Sequence, residues 1–147
     1  MSYNNFVDID AAVRAAYDFA EPAVAIIKHD NPCGVAIAEP GAEDPITSAY
    51  MRAHLTDPVS AFGGVVAANR EVTAEFAAKL SEVFTEVIAA PSFSPEALEI
   101  LSKKKNLRIL ELSGDYKPPS REIRQISGGL LVQEPDSFEG LDVLAWK

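Results

Sequence analysis

The sequence has almost no cysteine, no long apolar run and no excess of basic residues. Cys33 is the single cysteine among 147 residues, so no disulfide can form within the chain, and a reducing, cytoplasmic location is expected. No apolar run approaches the roughly 20 residues that span a bilayer, and no signal peptide is evident. The net charge of −9 disfavours nucleic acids and anionic membranes as partners, because both require a basic face.

What is present predicts a globular domain with a hydrophobic core. Hydrophobic residues make up 48% of the chain and charged residues 24%, which is ordinary for a folded soluble protein. We interpret residues 1–147 as one domain, because the chain is too short for two domains of ordinary size. The acidic net charge still permits a small anionic ligand, since a local pocket can oppose the overall field.

The stretch 24–34 is where we expect the chemistry. The apolar run at its start predicts a strand buried on both faces. The run ends at Lys28 and His29, and Pro32 and Gly34 predict a change of direction. Open α/β sheets commonly place chemistry at the carboxyl ends of buried strands. Because successive strand residues point to opposite faces, Lys28 and His29 can serve one pocket only if the chain bends between them.

Hydrophobic spacing predicts helices and strands that alternate along the chain. Cap residues followed by helical spacing predict helices at 8–20 with Asp8 as its cap, 45–54 after Asp44, 74–83 after Thr73, and 95–105 after Ser94 with Leu98 facing inward. Short apolar runs predict strands at 23–28, 65–68, 87–90, 107–112, 123–126 and 130–133. The run 35–38 is either a paired strand or a short helix. This alternation favours an α/β sheet with helices on both faces.

Two long motifs carry a resemblance to a known family. They are Lys28-His29-x-Asn31-Pro32-Cys33-Gly34 and Asp57-Pro58-Val59-Ser60-Ala61-Phe62-Gly63-Gly64. In this order they resemble the transformylase part of the bifunctional purine-biosynthesis enzymes, which combine AICAR transformylase with IMP cyclohydrolase. The resemblance runs from Ser2-Tyr3-Asn4-Asn5 to Ser127-Gly128-Gly129-Leu130-Leu131. It implies a three-layer α/β/α fold like that of the cytidine deaminases.

The resemblance also implies which part of such an enzyme this chain represents. It corresponds to the first half of a transformylase domain, with no counterpart of the cyclohydrolase domain or of the second half. In the family the second half and a dimer partner complete the site. We therefore expect AICAR and a folate as ligands, the remaining domains of a homodimeric parent enzyme as partners, and little or no turnover by this chain alone.

The resemblance assigns catalytic roles to Lys28 and His29. His29 would accept the proton of the AICAR amine as that amine attacks the formyl carbon of the co-substrate, 10-formyltetrahydrofolate. Histidine suits this role because its neutral imidazole is available near pH 7. Lys28 would stabilise the developing oxyanion or assist departure of the folate nitrogen, and both roles remain open. On residue type alone, the pair could equally be a solvated strand end.

The resemblance places Asn5, Gly63 and Glu86 against the AICAR nucleotide, and Phe62 and Asn31 are further candidates for substrate binding. Glu86 stands where some relatives have Asp. From the residues themselves, Gly63 would let the backbone approach a ligand and Phe62 would form a flat wall. Asn31 is expected to fix the loop that holds His29.

The sequence gives less support to other kinds of function. The zinc deaminase motifs His-x-Glu and Pro-Cys-x-x-Cys are incomplete here, so no metal is expected. A nucleophilic Cys–His pair is allowed by spacing, but Cys33 is better interpreted as a small core residue. Lys103-Lys104-Lys105 is expected to be a solvated helix end. A non-catalytic nucleotide-binding or assembly module remains the main alternative, and association through surface that other domains would cover is also possible.

Overall fold

A computed structural model describes residues 1–117 and 119–135 of the chain. Contacts divide the chain into two compact units, Met1–Asp115 and Tyr116–Lys147. The elements of the first unit are, in chain order, α1 (Tyr3–Tyr17), β1 (Ala23–Lys28), β2 (Asn31–Ile37), α2 (Pro45–Thr56), β3 (Gly64–Ala68), α3 (Ala74–Leu80), β4 (Thr85–Ala90), α4 (Pro95–Leu101) and β5 (Arg108–Glu111).

The first unit is built on a five-stranded mixed sheet in the order β2-β1-β3-β4-β5. β1 is antiparallel to both of its neighbours, whereas β3, β4 and β5 run parallel to one another. The buried runs that predicted β1, β3 and β4 carry β-branched residues and alanine, which suit strands covered on both faces. The predicted α/β class is confirmed.

Helices cover both faces of this sheet. Alternate strand residues, such as Val24 and Ile26 of β1, join a core cluster with α2, α3 and α4. The residues between them, such as Ala25, are equally buried on the opposite face, where α1 contacts β1 and β3. The unit is therefore a three-layer α/β/α arrangement.

Three predicted helix starts are confirmed by their cap contacts. The side chains of Asp44, Thr73 and Ser94 accept hydrogen bonds from backbone N–H groups at the third helical positions of α2, α3 and α4. Pro45 and Pro95 occupy the first helical position, where a missing N–H costs nothing. These local signals were sufficient to place the starts of all three helices.

Two other helix boundaries, the start of α1 and the end of α4, differ from the predictions. α1 begins at Tyr3 and not at residue 8, because Ser2 and Asn5 form a reciprocal capping box. Asp8 therefore lies inside the helix and is not its cap. α4 ends at Leu101, so the three lysines lie beyond it, and Leu98 is 42% exposed and does not face inward.

The motif around Pro32 forms a strand and not a turn. Residues 35–37 of the run 35–38 belong to β2, which begins at Asn31 and pairs with β1, so the strand alternative is correct. The reversal occurs earlier, at His29 and Asp30. Gly34 lies opposite Ile26, and a Cβ there would collide with the carbonyl oxygen of Ala53 in α2. Gly34 thus permits close helix packing and does not turn the chain.

The second unit contains an antiparallel hairpin. β6 (Glu122–Ile126) and β7 (Gly129–Gln133) confirm the two strands predicted around Ser127 and Gly128. All residues of β7 are exposed. Within residues 1–117 and 119–135, no helix has both the length and the apolar character needed to cross a bilayer.

Candidate functional site at the β1–β2 turn

The turn between β1 and β2 holds two residues in an uncommon backbone conformation. His29 has a φ of 55° and Asp30 a φ of 62°, and they connect the paired residues Lys28 and Asn31. Positive φ at both central positions is the pattern of a type I′ hairpin turn, which favours Asn and Gly. For most other residues this conformation costs roughly 1–2 kcal/mol, although His and Asp adopt it more often than most, and contacts that favour it help to hold the turn.

Two polar side chains hold the backbone of this turn. The carboxylate of Asp8 in α1 accepts from the N–H of His29 at 3.3 Å and from the N–H of Asp30 at 2.7 Å. The side-chain amide of Asn31 donates to the carbonyl oxygen of His29 at 2.7 Å. Asn31 therefore has the local contact that the sequence predicted for it. A direct contact of Asn31 with a ligand stays a prediction.

Lys28 connects the hairpin to the glycine loop before β3. Its Nζ donates to the carbonyl oxygen of Phe62 at 2.9 Å. Gly63 follows with a φ of 75°, and its N–H donates to the carbonyl oxygen of Phe84 at 2.8 Å. The ring centres of Phe62 and Phe84 are 5.4 Å apart, and Phe62 is 59% exposed. Two residues predicted to bind substrate thus lie beside the predicted catalytic lysine.

An open depression of about 370 Å³ lies along the hairpin and the loop after α2. It is lined by Lys28, His29, Asn31, Pro32, Cys33, Asp57 and Ser60. His29 is exposed, but it lines this depression together with Lys28. The bend expected between these two residues is therefore present. Hydrogen bonds from the hydroxyl and N–H of Ser60 lower the pKa of Asp57, which supplies a fixed negative charge at the rim.

A second polar group lies at the same edge of the sheet. The side-chain amide of Asn5 donates to Oε2 of Glu86 at 3.0 Å, and Asn5 is only 9% exposed. Arg108, at the start of β5, lies 3.6 Å from the same carboxylate oxygen. Asn5 and Glu86, both predicted to contact the nucleotide, therefore contact each other. Since Asn5 and Asp8 are three residues apart on α1, one helix reaches both polar groups.

Antiparallel and parallel strands meet at this edge. Because β1 is antiparallel to β3, its carboxyl end lies beside the amino ends of β3 and β4. Lys28 and His29 do lie at the carboxyl end of a buried strand, as predicted, but that strand runs antiparallel to β3. A hairpin tip and a glycine loop bring Lys28, His29 and Gly63 together.

Cys33 does not have the surroundings of a reactive thiol. It is partly buried and packs against the core cluster. Burial first, and then the Asp57 carboxylate, raise the pKa of Cys33, and the nearby Lys28 offsets them only in part. A thiol with a raised pKa is a poor nucleophile at neutral pH. Among the described residues, no group of three or more His, Cys, Asp or Glu side chains is placed to hold a metal ion.

A smaller cavity of about 230 Å³ lies between α3, β4 and the loop before β5. Its lining includes Phe84, Lys104 and Lys105, but none of the predicted site residues. Its connection to the hairpin site is the ring contact of Phe84 with Phe62. We base the candidate site on the hairpin, because the predicted catalytic pair meets there.

Sequence reasoning missed several residues at this edge. Asp8 was interpreted as a helix cap, and neither Arg108 nor Ser60 was singled out. The capping box of Ser2 and Asn5 was a local signal that would have moved the start of α1 and placed Asp8 inside it. The contact of Arg108 with Glu86 joins neighbouring strands, and no sequence pattern points to it.

Comparison with known proteins identifies the family. The family model described as "AICARFT/IMPCHase bienzyme" matches residues 1–145. The chain belongs to the AICARFT/IMPCHase bienzyme family. The "Bifunctional purine biosynthesis protein PurH" of Corynebacterium glutamicum (strain R) is 56% identical over 136 residues, which is 92% of this chain. The protein of the same name from Mycobacterium leprae (strain Br4923) is 53% identical over 139 residues, or 95% of this chain.

The chain spans about a quarter of the length of these relatives in the bienzyme family, since the matched part is 25% of each. The fold has a structural counterpart in the dCMP deaminase from the cyanophage S-TIM5 in apo form, with a TM-score of 0.52. That likeness covers 76% of this chain and 100% of the deaminase at 6% identity. It concerns the fold alone, and it confirms the predicted deaminase-like architecture.

Proposed function

We propose that this chain is the first half of an AICAR transformylase domain and that it contributes Lys28 and His29 to formyl transfer. The observation that carries the proposal is that both residues line one open depression at a hairpin turn whose backbone is held by Asp8. Membership of the AICARFT/IMPCHase bienzyme family supports the reaction class. The substrates would be AICAR and 10-formyltetrahydrofolate, and the products formyl-AICAR and tetrahydrofolate.

In the proposed reaction His29 acts as the general base. The AICAR amine attacks the formyl carbon, a C–N bond forms, and His29 removes a proton from that nitrogen. The tetrahedral intermediate then collapses, and the bond to the folate nitrogen breaks as that nitrogen takes up a proton. The exposed position of His29 at a hairpin tip allows a substrate amine to reach the imidazole. The proposed chemistry needs no metal.

Lys28 is proposed to stabilise negative charge during this reaction. Its ammonium has three N–H donors, and the Phe62 carbonyl oxygen takes one of them. The other donors can reach the oxyanion of the tetrahedral intermediate or the departing folate nitrogen. Because the Phe62 carbonyl fixes the direction of the lysine, little reorganisation is needed when charge develops.

The binding residues are proposed to hold the AICAR nucleotide along the same edge. Phe62 offers an exposed ring, and the turn at Gly63 brings backbone close to it. In Glu86, Oε2 is occupied by Asn5 and Arg108, so Oε1 is the oxygen available to a ligand. The remaining domains of a cytoplasmic, homodimeric parent enzyme would complete the folate and nucleotide contacts, with no nucleic acid or membrane as partner.

The test uses a chimera in which this chain replaces the corresponding segment of the Corynebacterium glutamicum relative. His29→Asn removes the base but keeps a residue that tolerates positive φ, so the turn is preserved. We expect kcat to fall by about 10²- to 10⁴-fold, with the affinity for AICAR retained. Loss of affinity alone would instead support the non-catalytic binding module, and an unchanged kcat would contradict the proposed function.

The 147-residue chain by itself is expected to show little or no formylation of AICAR. It carries the Lys28 and His29 hairpin but spans only a quarter of the relatives. Assay of the purified chain beside the chimera measures this directly. A rate for the chain close to that of the chimera would mean that the other domains are dispensable.

A further inference from the structure

Asp8 lies in a helix, yet both of its carboxylate oxygens are used by another element. Oδ2 accepts from the N–H of His29 at 3.3 Å and Oδ1 from the N–H of Asp30 at 2.7 Å. Asp10, two residues further along α1, is exposed and forms an ion pair with Arg14 at 3.8 Å. The two aspartates of one helix therefore have different tasks.

The Asp8 contact falls where the backbone needs support. His29 and Asp30 are the only described residues other than glycine with positive φ. Two consecutive left-handed residues place their N–H groups on one side of the turn, where a single anion can accept from both. Hydrogen bonds to a charged acceptor are stronger than those between neutral groups. Asp8 thus favours the backbone conformation that the side chains of this turn disfavour.

We propose that Asp8 is a positioning residue that holds His29 in its working orientation by accepting from the two N–H groups of the turn. Together with Asn31, which donates to the carbonyl oxygen of His29, it fixes the peptide groups on both sides of this residue. Asp8 acts through His29 and touches neither substrate nor reacting atoms. The inference rests on the proposed function for its catalytic consequence, but the hydrogen-bonded brace can be tested without it.

The first experiment measures amide hydrogen exchange by NMR on the 147-residue chain. In Asp8→Ala the amides of His29 and Asp30 should exchange about 10- to 100-fold faster than in the wild type. Asp8→Asn keeps one acceptor oxygen and should give a smaller change, and it also serves if Asp8→Ala fails to fold. Asp10→Ala is the matched control and should leave both amides unchanged. Equal exchange in the Asp8 and Asp10 variants would overturn the brace.

The second experiment measures kcat and KM for AICAR in the chimera. Asp8→Ala should lower kcat about tenfold or more, with a smaller change in KM. The double variant Asp8→Ala/Asp30→Gly should recover part of this loss, because glycine adopts positive φ without a brace. A merely stabilising role of Asp8 predicts no such specific rescue. Faster amide exchange with an unchanged kcat would overturn the positioning role.

The two proposals fail differently in these experiments. An unchanged kcat in His29→Asn contradicts the proposed function, whereas the exchange measurement still decides whether Asp8 holds the turn. A large loss in His29→Asn with no loss in Asp8→Ala leaves the proposed function intact and overturns the positioning role.

Discussion

The described part of the chain contains two hairpins with two-residue turns, and the two turns reach positive φ with different residues. β6 and β7 are joined by Ser127 and Gly128, where glycine adopts a φ of 86°. β1 and β2 are joined by His29 and Asp30, which both have positive φ and both carry a Cβ. The β1–β2 hairpin therefore lacks the glycine that a type I′ turn favours at its second central position.

The difference indicates that the residues of the β1–β2 turn are not those that favour turn formation most. In the exposed hairpin, Gly128 adopts the positive φ of the turn without the strain that a Cβ would bring. At the β1–β2 turn, the carboxylate of Asp8 and the amide of Asn31 supply the stabilisation that the turn residues lack. Residues kept in an unfavourable conformation by dedicated contacts are common at functional sites. This comparison supports the choice of the β1–β2 turn as the candidate site.

The largest expected effect on stability is that of adding a methyl group at Gly34 in the β1–β2 hairpin. Gly34→Ala should destabilise the chain by about 3 kcal/mol or prevent folding, because the new Cβ would meet the carbonyl oxygen of Ala53. Gly129→Ala in β7 is the matched control. It should change stability by less than about 0.5 kcal/mol, since nothing lies within 4 Å of a Cβ there. Urea unfolding followed by circular dichroism measures both, and equal effects would contradict the close packing of α2 on β2.

An intermediate effect is expected at the start of α2, the helix that covers β2. Burial tends to raise the pKa of Asp44, but hydrogen bonds from Thr73 and Thr47 outweigh it, and the net pKa is lowered. With a folded pKa below the unfolded one, the stabilisation is present above the unfolded value near 4 and is lost as pH falls through the folded value. Asp44→Ala should cost about 1–2 kcal/mol at pH 7 and flatten the loss of stability below about pH 4.

Ser94→Ala provides the control for Asp44. It removes an uncharged cap of α4, so it should cost about 1 kcal/mol without changing the slope of stability in acid. Urea unfolding at several pH values measures both variants. An acid slope in Asp44→Ala identical to that of the wild type would show that other carboxylates cause the dependence.

The smallest effect is expected in the turn of the exposed hairpin. Gly128→Val places a branched side chain at a φ of 86° and should speed amide exchange within β6 and β7 about tenfold. Gly128→Asn should change the exchange much less, because asparagine tolerates this conformation. Amide exchange by NMR separates the two. Equal exchange in both variants would mean that this turn does not depend on glycine as the comparison assumes.

The sequence predicted those features of the fold that local chemistry determines. The buried apolar runs correctly predicted the positions of β1, β3 and β4. Asp44, Thr73 and Ser94 correctly predicted helix starts, because a cap contacts a residue only three positions away. The β1–β2 turn was misplaced because Pro32 and Gly34 have the appearance of turn residues. Gly34 is required by its close approach to Ala53 in helix α2, and a contact between such distant residues leaves no local signal.

The candidate site was predicted in part, and the missing part is the set of contacts between elements. Lys28 and His29 were named from the end of a buried strand and from a family resemblance. The antiparallel direction of β1, which brings them beside Gly63, does not follow from alternating helices and strands. The role of Asp8 could not be predicted, because the N–H groups that donate to its carboxylate belong to His29 and Asp30, which lie in a distant turn.

Helix α1 contacts the site twice, through Asn5 and through Asp8. These residues are three apart, so about 4.5 Å of helical rise separates them, whatever the twist of the sheet. Detachment of this single helix would release Glu86 and the His29 turn in one event, while the strands beneath keep their pairing. Thermal inactivation of the chimera ahead of sheet unfolding would be the signature of such a detachment.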